Sequence, residues 1–124
     1  MNSLTSSLED YLEIICNYAD SNQQVRAVDI SKELNVSRAS TSEALKKLAN
    51  KGFINYGRYG VISITASGKE LAHNIISKHK TLQEFFENIG LSKEDASYNA
   101  CKIEHVITDS AFNKISEFLG RENR

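Results

Sequence analysis

Apolar residues at Leu8, Tyr11, Leu12, Ile15, Tyr18 and Ala19 recur at intervals of three and four, which predicts a first helix with one buried stripe. Asp10 and Glu13 point away from that stripe. A second helix is expected over Ala27 to Leu34, with Val28 or Ile30 and Leu34 inward, and "NVS" (Asn35 to Ser37) breaks the pattern. Ser37 is a good N-cap for a third helix from Arg38 to about Asn50, which buries Thr41, Leu45 and Leu48; Gly52 stands where a helix-ending residue would. The period then changes. "FINYGRYGVISIT" is rich in Ile, Val, Tyr and Phe and interrupted by Gly57 and Gly60, which predicts a short two-stranded hairpin.

From Ser67 a long fourth helix carries Leu71, Ile75, Leu82, Phe86 and Ile89 on one face, and Gly90 stops it. "SKED" (Ser92 to Asp95) resembles a helix start, with Ser92 as cap and acids in the first turn where the dipole favours them. That fifth helix is expected to bury Ala96, Ala100, Ile103 and Ile107. Thr108 or Asp109 caps a sixth, with Phe112, Ile115 and Phe118 or Leu119 inward. The pattern is therefore mainly α: a winged helix-turn-helix over residues 1–70, followed by an α-helical domain over 71–124.

Composition sharpens this. Hydrophobic residues make up 40% and charged residues 25%, a globular balance. No apolar run approaches the roughly 20 residues of a membrane span, and the N-terminus lacks the basic start and apolar core of a signal peptide, so the expectation is a cytoplasmic protein without membrane partners. Two cysteines are too few for a disulfide framework. Cys16 lies beside the first apolar stripe and reads as a packed core residue, which leaves Cys101 available as a ligand.

The net charge of −1 is unevenly distributed. Residues 1–20 carry four acids and no Lys or Arg; residues 21–70 carry eight bases against four acids; residues 71–124 carry seven bases and eight acids. Only the middle third has the sign that attracts phosphate. Its third helix would enter the major groove, presenting Ser37, Arg38 and Ser40 in its first turn and Ala39, Ser42, Glu43 and Lys46 on its exposed face. Lys46, Lys47, Lys51 and, at the hairpin tip, Arg58 would meet the phosphates of double-stranded DNA. The plain alternative is a small helical scaffold with a solvated polar face.

"ACKIEHVIT" (100–108) places Cys101, Glu104 and His105 on one flank of the fifth helix within a turn. Three different donors beside a core can converge on a metal ion, although a lone Cys-x-x-Glu-His also arises by chance. His79 falls inside the apolar stripe of the fourth helix, where its ring needs either a hydrogen-bond partner or an ion. Asp10 and Glu13 are either a solvated acidic face or two more ligands, which would bring the set to six.

The stretches "SLEDYLEII", "DISKELNVSRASTSEALKKLANKGFI", "ITASGKELA", "KHKTLQEFF" and "ACKIEHVITD" make nearly the whole chain resemble the diphtheria toxin repressor and manganese transport regulator family of metal-dependent repressors. The resemblance implies a winged-helix domain and a helical dimerisation domain, with divalent metal bound where they meet. It also implies a homodimer on a palindromic operator, repressing metal-uptake genes. It assigns Asp10, Glu13, His79, Cys101, Glu104 and His105 as metal ligands. Asp10 and Glu13 look like the manganese branch, Cys101 like the iron branch. Ser97 and Gln83 stand where iron-type members have a histidine and an acid, so their ancillary site is not carried over. The chain also stops before the SH3-like domain of longer iron regulators. Fe(II), then Mn(II), is the expected ion, since a thiolate shifts preference away from the hardest metals. Two other classes compete: a winged-helix regulator answering to an organic ligand or partner protein, and, last, a metal-dependent hydrolase.

Overall fold

The computed structural model describes residues 4–120, together with the backbone but not the side chain of Arg58. The chain divides into two compact units, Met1–His73 and Asn74–Arg124. In the first, helices α1 (Ser6–Asp20), α2 (Ala27–Leu34) and α3 (Arg38–Asn50) precede strand β1 (Ile54–Tyr56), a 3-10 turn (Arg58–Gly60) and strand β2 (Ile62–Ile64). The strands pair antiparallel with Ile54 opposite Ile64 and Tyr56 opposite Ile62, so this is the winged helix-turn-helix expected from the sequence.

Leu12, Ile15, Ile30, Leu45, Leu48 and Ile54 are fully buried and form its core; Tyr11 and Val25 complete it. Of the two candidates on α2, Ile30 is the buried one and Val28 is half-exposed. α1 starts at Ser6, two residues before its apolar stripe, because the Thr5 hydroxyl accepts from the Leu8 amide. Asn35 adopts φ 56 after α2, a left-handed stop that asparagine tolerates. Gly52 takes φ +84 after α3, which lets the Phe53 amide reach back to the Leu48 carbonyl.

Helix α4 (Ala66–Asn88) begins against the base of the hairpin. Thr65 Oγ1 accepts from the Gly68 amide and donates to the Gly52 carbonyl at 2.7 Å, so one hydroxyl both caps the helix and ties it to the end of α3. Gly68 lies under the Phe53 carbonyl, where a Cβ would stand 2.1 Å from that oxygen.

The second unit contains the remainder of α4, α5 (Lys93–Ile103) and α6 (Asp109–Phe118), completing the α-helical domain expected. Ile75, Leu82, Ala96 and Ala100 are buried, and Lys78 spans from α4 to Asp109 at 3.6 Å on α6. Of the two candidates at the end of α6, Leu119 is the half-buried one, while Phe118 is 71% exposed with its ring edge-on to Phe85. Two expectations are corrected. Ile89 is expected on the buried face of α4, but the helix ends at Asn88 and Ile89 is 55% exposed just before the chain turns at Gly90, φ +113. The second concerns length: α5 ends at Ile103, so Glu104 is its C-cap and His105 lies in the following turn.

Candidate functional site

In the second unit, the last turn of α5 and the middle of α4 bring four of the sequence-predicted ligands together. Glu104 is the centre: its side chain is 1% exposed, and one oxygen, Oε1, lies 2.7 Å from Nδ1 of His79 on α4. Its other oxygen, Oε2, lies 3.5 Å from Nε2 of His105, whose side chain is 8% exposed. Cys101, an exposed thiol outside any disulfide, is one turn back on α5, and ligand atoms of Cys101, Glu104 and His105 all lie within 4.8 Å of one another. A carboxylate so deeply buried needs compensating positive charge or several hydrogen bonds. Two imidazoles and a thiol around it make a donor set that fits a divalent cation of borderline character.

With Glu104 ionised, Nδ1 of His79 carries the proton and donates to Oε1, leaving Nε2 as acceptor for the Ser97 hydroxyl at 3.4 Å. Ser97, singled out in the sequence only as a departure from the iron branch's ancillary site, is here a direct neighbour of His79. Its signal was present: it precedes Cys101 by four residues, so both stand on one face of α5. Asp10 and Glu13 lie in the first unit, three apart on α1 and each half-buried.

The α3 surface provides the other candidate site. Ser37 caps α3: its oxygen accepts from the Ser40 amide at 3.0 Å and its hydroxyl donates to Ser40 Oγ. Thr41 is buried and back-bonds to the Ser37 carbonyl, turning the opposite face outward. Arg38, Ala39, Ser40, Glu43, Lys46 and Lys47 are exposed there, and Ser42 is half-buried. Lys51 is exposed just beyond the helix. Arg58 occupies the hairpin tip by its backbone, and its side chain lies outside the described residues. Among the described residues no helix is long and apolar enough to cross a membrane.

A winged helix-turn-helix with an exposed basic α3, joined to a helical unit that clusters a carboxylate, two imidazoles and a thiol, defines a DNA-binding regulator of the metal-responsive type. Comparison with known proteins agrees. Residues 3–62 match the family described as "Iron dependent repressor, N-terminal DNA binding domain", and residues 65–124 match "Iron dependent repressor, metal binding and dimerisation domain". The chain belongs to the iron-dependent repressor family. It is similar to an uncharacterized HTH-type transcriptional regulator of Methanocaldococcus jannaschii, 35% identical over 118 residues and covering 94% of each chain. It is 30% identical over 115 residues to the transcriptional regulator MntR of Oceanobacillus iheyensis, covering 93% of this chain and 78% of that one. A manganese-dependent transcriptional repressor, solved in complex with manganese, superposes with a TM-score of 0.83 at 27% identity over 94% of this chain, which spans 54% of that longer protein.

Proposed function

We propose that the protein is a homodimeric repressor of metal-uptake genes that binds a palindromic operator when Fe(II) or Mn(II) is held by His79, Cys101, Glu104 and His105, with Asp10 and Glu13 from α1 completing the ligand set. The observation that carries this reading is the buried Glu104 carboxylate between two imidazoles, with a thiol one turn away. A divalent ion held there would supply the compensating positive charge that so deeply buried a carboxylate requires.

The chain's own residues do the rest. His79 and His105 must each offer an unprotonated nitrogen, and Cys101 must give up its proton to solvent, so metal affinity falls with acidification. Asp10 and Glu13 belong to the DNA-binding half and the other four to the dimerising half, so a shared ion would couple the two. In a dimer the two α3 helices would then be held about one DNA turn apart, or a multiple of it. Arg38, Ser40, Ser42, Glu43 and Ala39 would read base edges, while Lys46, Lys47 and Arg58 would meet phosphates. By linkage, metal strengthens operator binding only as far as it favours that arrangement, and DNA strengthens metal binding equally.

The test is direct: a palindromic duplex selected from genomic fragments is titrated with the apo protein in chelator, Mn(II), Fe(II) or Zn(II). Operator affinity should rise with Mn(II) and Fe(II) and fall back on chelation. Equal affinity in chelator would replace this reading with a regulator answering to an organic ligand or a partner protein. The identity of the donor at 101 should set metal preference. Cys101→Asp exchanges a soft donor for a hard one and should move the response toward Mn(II), measured as the ratio of half-saturating Mn(II) to Fe(II) in the same assay. An unchanged ratio would remove Cys101 from the ligand set.

A further inference from the structure

A second group of metal-competent side chains lies within the first unit, and the reading of Glu104 and its neighbours makes no use of it. Cys16 and Asp20 stand one turn apart near the C-terminal end of α1, and His73 faces them from α4. Cys16 Sγ donates to Asp20 Oδ2 at 3.6 Å, and Nε2 of His73 lies 2.7 Å from the same oxygen. Ligand atoms of all three residues fall within 4.8 Å of one another. A tetrahedral site with metal–sulfur near 2.3 Å and metal–nitrogen and metal–oxygen near 2.0 Å requires donor separations of about 3.3–3.5 Å. The sulfur–oxygen distance already meets this, and the nitrogen–oxygen pair has to open by less than about 1 Å.

We propose that Cys16, Asp20 and His73 form a second divalent-metal site, selective for a borderline-soft ion such as Zn(II), which clamps the end of α1 to α4 within the first unit. Three observations support it beyond proximity. The two hydrogen bonds converge on one carboxylate oxygen, so protons occupy the region a cation would fill. The last turn of α1 carries no basic residue, and the negative end of its dipole together with Asp20 is met from α4 instead, by the His73 ring at 2.7 Å and by the Lys69 ammonium at 3.9 Å. Finally, the donors divide by exposure: Cys16 is fully buried, while the Asp20 and His73 side chains are 40% and 51% exposed, leaving a solvent-facing fourth position for water.

Two features oppose binding, and both are surmountable. Lys69 has to swing away, which its half-exposed, flexible stem allows. Burial, with the Asp20 charge adding to it, pushes the Cys16 thiol up to about 11, so the ion must displace a tightly held proton. Binding therefore releases that proton to solvent and strengthens as pH rises. The hydrogen bond from His73 holds the Asp20 carboxyl below its usual range, so this ligand is already ionised at neutral pH.

The experiment uses the full chain carrying Cys101→Ser, which leaves Cys16 as the sole cysteine, and Co(II) as a spectroscopic stand-in for Zn(II). Any ion bound beside Glu104 then lacks sulfur and is silent in the thiolate-to-cobalt charge-transfer band. The proposal expects that band to grow to saturation at one equivalent per chain, to bleach on addition of Zn(II), and to vanish when either Cys16→Ser or His73→Ala is added. His73 is surface-placed, so the His73→Ala variant keeps its fold, checked by circular dichroism. Absence of the band in Cys101→Ser, or its survival at full intensity in His73→Ala, overturns the site. Neither result bears on metal dependence of operator binding, which is read separately through Glu104.

Discussion

Glu104→Gln should leave a folded dimer that no longer responds to metal. The side chain is 1% exposed and lies between His79 and His105, so glutamine preserves volume and still offers one oxygen acceptor and an amide donor to neutral imidazoles. What it removes is the negative charge. A ligand set without its central carboxylate should lose at least about 100-fold in divalent-metal affinity, the upper end of what even outer-shell substitutions cost. Allosteric coupling of this kind is typically worth about 5- to 150-fold in the second ligand's affinity. That enhancement of operator binding should collapse to about one, with affinity in chelator unchanged. Calorimetry with Mn(II) and fluorescence anisotropy with operator duplex read the two halves separately. Metal-stimulated binding at full strength in Glu104→Gln would remove Glu104 from the centre.

Gly68→Ala is expected to have the largest effect on stability. Its Cβ would approach the Phe53 carbonyl oxygen to 2.1 Å and Ile64 Cγ1 to 2.9 Å, and the backbone atom cannot swing aside. Phe53 is fixed from both directions: its amide donates to the Leu48 carbonyl and its carbonyl accepts from the Thr65 amide, each at 3.1 Å. The first turn of α4 must therefore lift from the hairpin. Overpacking of this kind costs about 3 kcal/mol. Urea unfolding should show the midpoint falling with little change in slope. Gly57→Ala is the control, because nothing lies within 4 Å of its would-be Cβ and its φ is −99; it should be neutral or slightly stabilising. Equal midpoints for the two variants would refute the close packing at Gly68.

The fold was legible where its determinants are local. The caps at Ser37, Ser92 and Thr108, and the stops at Gly52 and Gly90, are short-range signals, and the structure uses each of them. Cys101, Glu104 and His105 were readable for the same reason, since a spacing of three and four is enough to gather them. The end of α5 was less readable: the apolar series ran on to Ile107, while the chain leaves the helix after Ile103 so that Thr108 can cap α6. Least legible were contacts made by distant segments. His79 announced that it needed a partner, but only folding showed Glu104 as that partner. Nothing in the sequence pointed to Gly68 against Phe53, or to His73 against Asp20, 53 residues away.

Among the described residues, five of the six α-helices begin at an uncharged hydroxyl: Thr5, Ser37, Thr65, Ser92 and Thr108. The sixth, α2, has Arg26 at its N-cap, and the Asp29 carboxylate inside its first turn accepts from the Arg26 amide. Hydroxyl caps neither titrate nor respond to ionic strength, whereas every phosphate contact does. The scaffold should therefore hold its shape while electrolyte is raised, so that the slope of operator affinity against salt counts the lysines and arginines on DNA without a contribution from unravelling helix ends.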